Sequence, residues 1–181
     1  MSKSNLLLEL YSNLSTTGAL TFSSKALVKK MVSQVDLKGA KLIVELGGGD
    51  GSITQGIVDE MDSDAELFVF EINESFCEVM KKQFDQKNVH IINASADEMG
   101  NFLDGRKVDF IFSSLPFSFI PKDVTDSILT QSNKSLTIKG AFIQICYSYL
   151  LKNLFKKYFD QVSVSFTLKN LPPAFVMVCQ P

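Results

Sequence analysis

The sequence predicts an α/β fold: a mostly parallel seven-stranded sheet with helices on both faces and a C-terminal antiparallel hairpin. Three observations carry this. From residue 40 onward, short β-branched and aromatic runs alternate with stretches whose apolar residues recur at helical spacing, the pattern of strand–helix–strand units feeding a parallel sheet. The last two runs, 162–168 and 174–180, are joined only by KNLPP, too short for a crossover, so they pair antiparallel. Finally, 181 residues that are 45% apolar and 21% charged supply one sizeable core and no second.

The elements follow in order. KALVKKMVSQV (25–35) has helical spacing. KLIVEL (41–46) is a strand that stops at glycines, and SITQGIVDEM (52–61) a helix. ELFVFE (66–71) is the second strand, followed by a helix through SFCEVMKKQF (75–84). VHIIN (89–93) is the third strand, SADEMGNFL (95–103) a short helix or turn, and VDFIFSSL (108–115) the fourth strand, ending at Pro116. A helix over 121–136 begins with proline, as helices tolerate. GAFIQICYSYL (140–150) is the fifth strand and LKNLFKKYF (151–159) a Lys-rich helix before the hairpin. The division expected is an N-terminal helical segment, 1–35, and a core, 36–181.

Composition excludes several classes. Lys+Arg 18 against Asp+Glu 20 leaves a net charge of −2, which disfavours the broad basic footprint of a nucleic-acid binder. Cys77, Cys146 and Cys179 lack the spacing of a disulfide framework or zinc cluster. With His90 the only histidine, a metal site would need carboxylates alone, and no metal is expected. No apolar run reaches the roughly 20 residues that span a bilayer, and the start lacks a signal peptide's basic region and cleavage site. A reducing, cytoplasmic setting is the expectation.

The glycine loop VELGGGDG (44–51) is the most informative segment. It follows a strand and opens a helix, where glycines let backbone approach a ligand. Its glycines fit neither G-x-G-x-x-G, which would need glycine at Ser52 or Thr54, nor a P-loop, which would need a Lys. The form Glu45-x-Gly47-x-Gly49-x-Gly51, with Gly48 between, resembles motif I of class I S-adenosylmethionine (SAM)-dependent methyltransferases. That resemblance implies a Rossmann-like fold, SAM as cofactor and S-adenosylhomocysteine as product, the loop lying beside an amino-acid moiety that carries no phosphate. A ligand-free tight turn is the competing reading. Glu71 ends the second strand 20 residues past Gly51, where doubly wound folds place a ribose-binding acid. Ile72 after it can pack on an adenine face. In NASADEM (93–99) the resemblance implies Ser95 and Ala96 as adenine neighbours, with Ser95 in the customary acidic place and Asp97 two positions on as the other candidate for the adenine amine.

On the substrate side, the fourth strand ends in SSLPF (113–117), with Ser113 counted among the cofactor neighbours, and Ser114-Leu115-Pro116-Phe117 stands where adenine-directed amino-methyltransferases carry an Asn- or Asp-led tetrapeptide. Here a hydroxyl replaces the amide acceptor. Together, TGALTFSSKALVKKM (17–31), VELGGGDGSIT (44–54), SSLPF (113–117), FIQICYSY (142–149) and NLPPAFVM (170–177) resemble the bacterial phospholipid N-methyltransferases, with Gly48 and Asp50 where that family often has Pro and Thr. The resemblance implies a phosphatidylethanolamine-like amine acceptor, with Ser114, Leu115, Pro116, Phe117 and Tyr147 around the reacting atoms. Phe117, Tyr147 and Tyr149 are candidates to hold a methylated ammonium by cation–π contact, core packing being the alternative for each. An rRNA adenine or small-amine acceptor, or a binding module on a degenerate fold, are the other readings.

Residues 4–14 put Leu7, Leu10, Tyr11 and Leu14 on one helical face, widened by Leu6 and Leu8. Lys29, Lys30, Lys152, Lys156 and Lys157 are candidates for a basic rim or for solvated faces. The expectation is a lid or a peripheral contact through residues 1–20 on the membrane's inner face, with no obligate protein partner.

Overall fold

A computed structural model describes residues 24–170 and 172–181. The face expected over residues 4–14, and the loop up to residue 23, lie outside them.

Seven strands form one sheet: β1 (Leu42–Leu46), β2 (Glu66–Glu71), β3 (Val89–Asn93), β4 (Val108–Ser113), β5 (Leu136–Cys146), β6 (Gln161–Thr167) and β7 (Ala174–Gln180). Their order is β3-β2-β1-β4-β5-β7-β6, parallel except for β7, which pairs antiparallel with both β5 and β6. The hairpin therefore folds back so that its second strand, not its first, joins the sheet. β1 sits between β2 and β4, so the strand order reverses there, the switch point where ligands bind at strand C-termini. The register brings those termini level: Leu46 stands beside Phe70 on β2 and Ser113 on β4.

β1 is buried along its whole length, as a parallel strand covered on both faces must be. One face packs Leu46, Phe70, Phe142 and Phe155 beneath a 3₁₀ turn (Ala96–Glu98), a short helix (Gly100–Leu103), a long one (Lys122–Ser135) and another (Leu151–Phe155). The other packs Leu27, Ile43, Ile57, Val69 and Met80 beneath α1 (Lys25–Val32), α2 (Ser52–Val58) and α3 (Glu74–Gln83). α1 buries Leu27 and Met31 completely, so this part of the N-terminal segment belongs to the core layer. Its N-cap Ser24 accepts from Leu27 N at 3.2 Å, relieving one of the orphan donors of a helix start.

Several boundaries differ from the sequence expectation, among them the ends of α1 at Val32, α2 at Val58 and β5 at Cys146. β5 starts at Leu136 rather than 140, because a register irregularity against β4 lets Leu136 pair with Val108 before the regular ladder resumes at Ala141. Gly140 makes this feasible, since a Cβ there would meet Asp109 O at 2.8 Å. β4 stops at Ser113, short of 115: Ser114 N donates to Leu46 O at 3.1 Å, and Pro116 has no N–H to give. The Lys-rich helix closes at Phe155, followed by turns.

Candidate functional site

A cleft open to solvent at its mouth lies at the C-terminal end of β1, β2 and β4. Gly47, Glu71, Ile72, Ala94, Ser95 and Ala96 line one side, and Leu115, Pro116, Phe119 and Ile120 the other.

The glycine loop is held by its own donors. Gly47 N and Gly48 N both donate to Phe70 O (2.8 and 3.2 Å), and Gly51 N to Gly48 O (3.0 Å). Gly49 N donates to Glu71 Oε2 at 2.9 Å. These N–H groups are thus not arranged as an empty anion cradle, which suits a ligand without phosphate. Gly47 has φ +83°, and a Cβ there would sit 2.9 Å from Ser114 Oγ. Gly51, at φ +79°, is the left-handed N-cap of α2. Gly48 turns toward the core, where a Cβ would meet Val69 Cγ1 at 2.7 Å. Asp50 accepts from Ser52 N at 3.0 Å and Ser52 Oγ at 2.8 Å, tying the loop to the first turn of α2.

Glu71 is 1% exposed and shares its carboxylate between two backbone donors, Gly49 N and Asn73 N (2.8 Å to Oε1). It therefore couples the glycine loop to the start of α3. Asn93 Nδ2 donates to Glu71 O and Ile72 O, fixing the backbone from which both side chains project. Ser95 caps the 3₁₀ turn in a capping box with Glu98, and its hydroxyl donates to Asp97 Oδ1. Ala94 and Ala96 flank it as small apolar wall.

Glu45 is fully buried and is not among the cleft-lining residues. Thr54 Oγ1 donates to its Oε2 at 2.6 Å, while Oε1 has no partner. Burial pushes its carboxyl up to about 8, the Thr54 hydrogen bond opposing and the nearby Glu71 and Asp50 charges adding.

On the acceptor side, Ser114 Oγ donates to Gly47 O at 2.8 Å, locking the 113–117 loop onto the glycine loop. The buried Ser113 hydroxyl accepts from Leu115 N at 3.3 Å, and Gln144 Nε2 donates to Leu115 O at 3.0 Å. Phe117 is 4% exposed and points into the core, against Phe142 and Phe155 (centroids 6.4 and 5.6 Å). It is not positioned as a cation-holding face. The exposed ring at the cleft is Phe119, 56% exposed, which the sequence reading missed, while Phe70 lines it from the core. The signal was its place in a proline-bounded loop, two residues past the motif. Tyr147 follows β5 and is exposed but is not a lining residue of the cleft. Tyr149 packs edge-on against Phe175 at 5.8 Å, and Lys152 Nζ lies 5.5 Å from its ring centroid.

The two phenylalanines should separate cleanly. Phe117→Ala is expected to cost about 3–5 kcal/mol of stability, as cavity formation in a core does. Phe119→Ala should change stability by less than about 0.5 kcal/mol yet weaken ligand binding. Thermal melts paired with S-adenosylhomocysteine titration check both.

The three cysteines are free and buried, and burial pushes the Cys146 and Cys179 thiols up to about 12, so neither supplies a thiolate nucleophile. Among the described residues no group of His, Cys, Asp or Glu could hold a metal ion. No helix there is long and apolar enough to cross a membrane.

A mixed seven-stranded sheet with a glycine loop and strand-end carboxylate at its switch point defines a nucleoside-binding α/β enzyme class. Residues 43–140 match the family described as a methyltransferase domain, and the chain belongs to that family. It is a SAM-dependent methyltransferase. An ornithine lipid N-methyltransferase of Singulisphaera acidiphila is 28% identical over 167 residues, 90% of this chain and 87% of that one. Ribosomal RNA small subunit methyltransferase A of Mycoplasma mycoides subsp. mycoides is 33% identical over 119 residues, 65% of this chain but 43% of that one. The crystal structure of precorrin-6y C5,15-methyltransferase from Geobacter metallireducens superposes with TM-score 0.74 at 14% identity, covering 90% of this chain and 92% of that one.

The residues present fit SAM. The cleft is lined by the apolar side chains of Ile72, Ala94, Ala96, Leu115 and Ile120, which suit the faces of a base. A Cβ at Gly47 would push into Ser114 and Leu115, so this wall tolerates no side chain at that position.

Proposed function

We propose that this chain methylates the primary amine of a lipid headgroup, of the phosphatidylethanolamine or ornithine-lipid kind. The observation that carries the reading is coverage. The match to the ornithine lipid N-methyltransferase runs nearly end to end in both chains, whereas the match to the rRNA enzyme spans less than half of that protein.

In this reading Glu71 accepts from the ribose hydroxyls and Ile72, Ala94, Ser95 and Ala96 bound the adenine. Gly47, Gly49 and Gly51 run beside the amino-acid moiety, and Glu45 and Gly48 support the loop from below. SAM supplies an electrophilic methyl group on a sulfonium. The chain's own part is alignment and exclusion of water, which provide most of the acceleration of such a displacement. Ser113 and Gln144 hold Leu115, and Ser114 holds the same loop against Gly47, so Leu115 and Pro116 form a rigid wall facing the methyl position. Phe119, which lines the cleft, is the face for a methylated ammonium, with Tyr147, exposed just past β5, as the second candidate. Residues 1–20 serve as a lid or as a peripheral contact on the membrane's inner face.

The nucleophile is the neutral amine, whose lone pair forms the N–C bond as the C–S bond breaks and whose proton leaves to water. Below the amine's own pKa, kcat/KM should therefore rise about tenfold per pH unit. Incubation with radiolabelled SAM, total lipid and total RNA tests the assignment. Label in an aminolipid is the expected result, and label in RNA alone would replace this reading with the adenine one that the 33% identity favours.

A further inference from the structure

Four exposed large apolar side chains, Tyr149, Leu150, Phe166 and Leu168, gather at one corner of this molecule, apart from Ile138, Val79 and Phe102. Cys146, Phe175 and Phe166 stand in one row across β5, β7 and β6, at the C-terminal edge of the sheet. Phe175 packs on the same core face as Leu115 and Ile120 of the cleft, so the row shares both edge and face with the candidate site. Around it, Tyr149 and Phe166 contact the Phe175 ring (centroids 5.8 and 5.0 Å). Leu150 and Leu168 project from the adjoining loops at 75% and 74% exposure. Lys152 lies over Tyr149, and Lys169 follows Leu168.

Two lysines, Lys152 and Lys169, flank the patch. Asp160 precedes β6 and so sits at the opposite end of the sheet, its N–H bonded to Gln180 O, and Lys156 and Lys157 precede Tyr158, whose O accepts from Asn133 Nδ2 toward that same end. The N-terminal chain joins at the patch: Ser24 N donates to Asn170 Oδ1 (3.2 Å) and Ser24 Oγ to Lys169 O (3.0 Å).

We infer that the β5-to-helix loop and the β6–β7 hairpin tip form a membrane-docking surface that seats the cleft on a bilayer carrying anionic headgroups. Leucines and aromatic rings at loop tips enter the interfacial layer, tyrosine keeps its hydroxyl toward water, and flanking lysines meet the phosphates. This inference rests on the lipid reading and adds to it a second contact, separate from residues 1–20. A lipid amine would then reach the cleft while its acyl chains stay in the bilayer.

The test uses the full chain and the double variant Leu150→Ser/Leu168→Ser, both exposed and outside the cleft. Cosedimentation with phosphatidylglycerol/phosphatidylethanolamine vesicles, without SAM, should fall tenfold or more in the variant, while its melting temperature and S-adenosylhomocysteine affinity are unaltered. Wild-type binding should weaken on phosphatidylcholine vesicles and in high salt. Equal vesicle binding by both proteins, or none by the wild type, overturns the inference. So does a wild-type dimer in gel filtration that the variant splits without losing vesicle binding, which would make the patch an interface between copies. Vesicle binding that depends on the patch, with no lipid methylated, would support the surface and sink the substrate assignment alone.

Discussion

Glu71→Gln should raise the dissociation constant for S-adenosylhomocysteine at least a hundredfold while leaving the chain folded. Glu71 ends β2, nearly buried, with one oxygen on Gly49 N and the other on Asn73 N. An ionised carboxylate offers about four acceptor positions, so it can serve two backbone donors and still receive hydroxyls from the cleft that it lines. Glutamine keeps the shape but turns one oxygen into a donor. Either Gly49 N or Asn73 N then faces an N–H, at a cost of about 1–3 kcal/mol for the unsatisfied group. In the proposed reading the ribose loses charge-assisted hydrogen bonds, each worth roughly 1.5–3 kcal/mol. The two losses add there because the loop proposed to receive the amino-acid moiety is the loop Glu71 anchors. Calorimetric titration reads the affinity, and circular dichroism confirms the fold. A change below threefold would mean that Glu71 is only a structural tie between β2 and the glycine loop.

Glu71 and the glycine loop were legible because their constraints are local. A buried parallel strand is a continuous apolar run that ends where backbone leaves the sheet, so 66–71, 89–93 and 174–180 were readable to the residue. What escaped the sequence depends on partners far along the chain. The start of β5 is set by a register irregularity against Val108 and by the close approach of Gly140 to Asp109. The insertion of β7 between β5 and β6 leaves no local trace, since a hairpin reads alike whichever strand meets the sheet. Past Pro116 the alternation of side chains is lost, and which phenylalanine turns inward follows from the space beside Phe142 and Phe155. In the same way, motif spacing marked Glu45 without showing that its carboxyl lies beneath the loop beside Thr54.

That burial makes Glu45 a stability switch, and Glu45→Gln should abolish it. The carboxyl is pushed from 4.5 to about 8, chiefly by loss of water, with one oxygen left unpartnered. Below pH 4.5 folded and unfolded chains both hold this proton, and the group adds no pH dependence. Between 4.5 and about 8 only the folded chain holds it. The unfolded state binds fewer protons, so stability falls as pH rises, by up to about 1.4 kcal/mol per unit. Above about 8 the folded state carries an uncompensated buried charge and the loss is complete. Glutamine retains the acceptor for Thr54 and cannot ionise. The variant should therefore match the wild type below pH 4.5 and exceed it by a few kcal/mol near pH 8.5, on the order set by the shift. Denaturant unfolding of both proteins across that range isolates the effect, since every other titrating group is shared. Parallel stability curves would show that the folded chain ionises Glu45 at an ordinary pH, and that water or a cation reaches beneath the glycine loop.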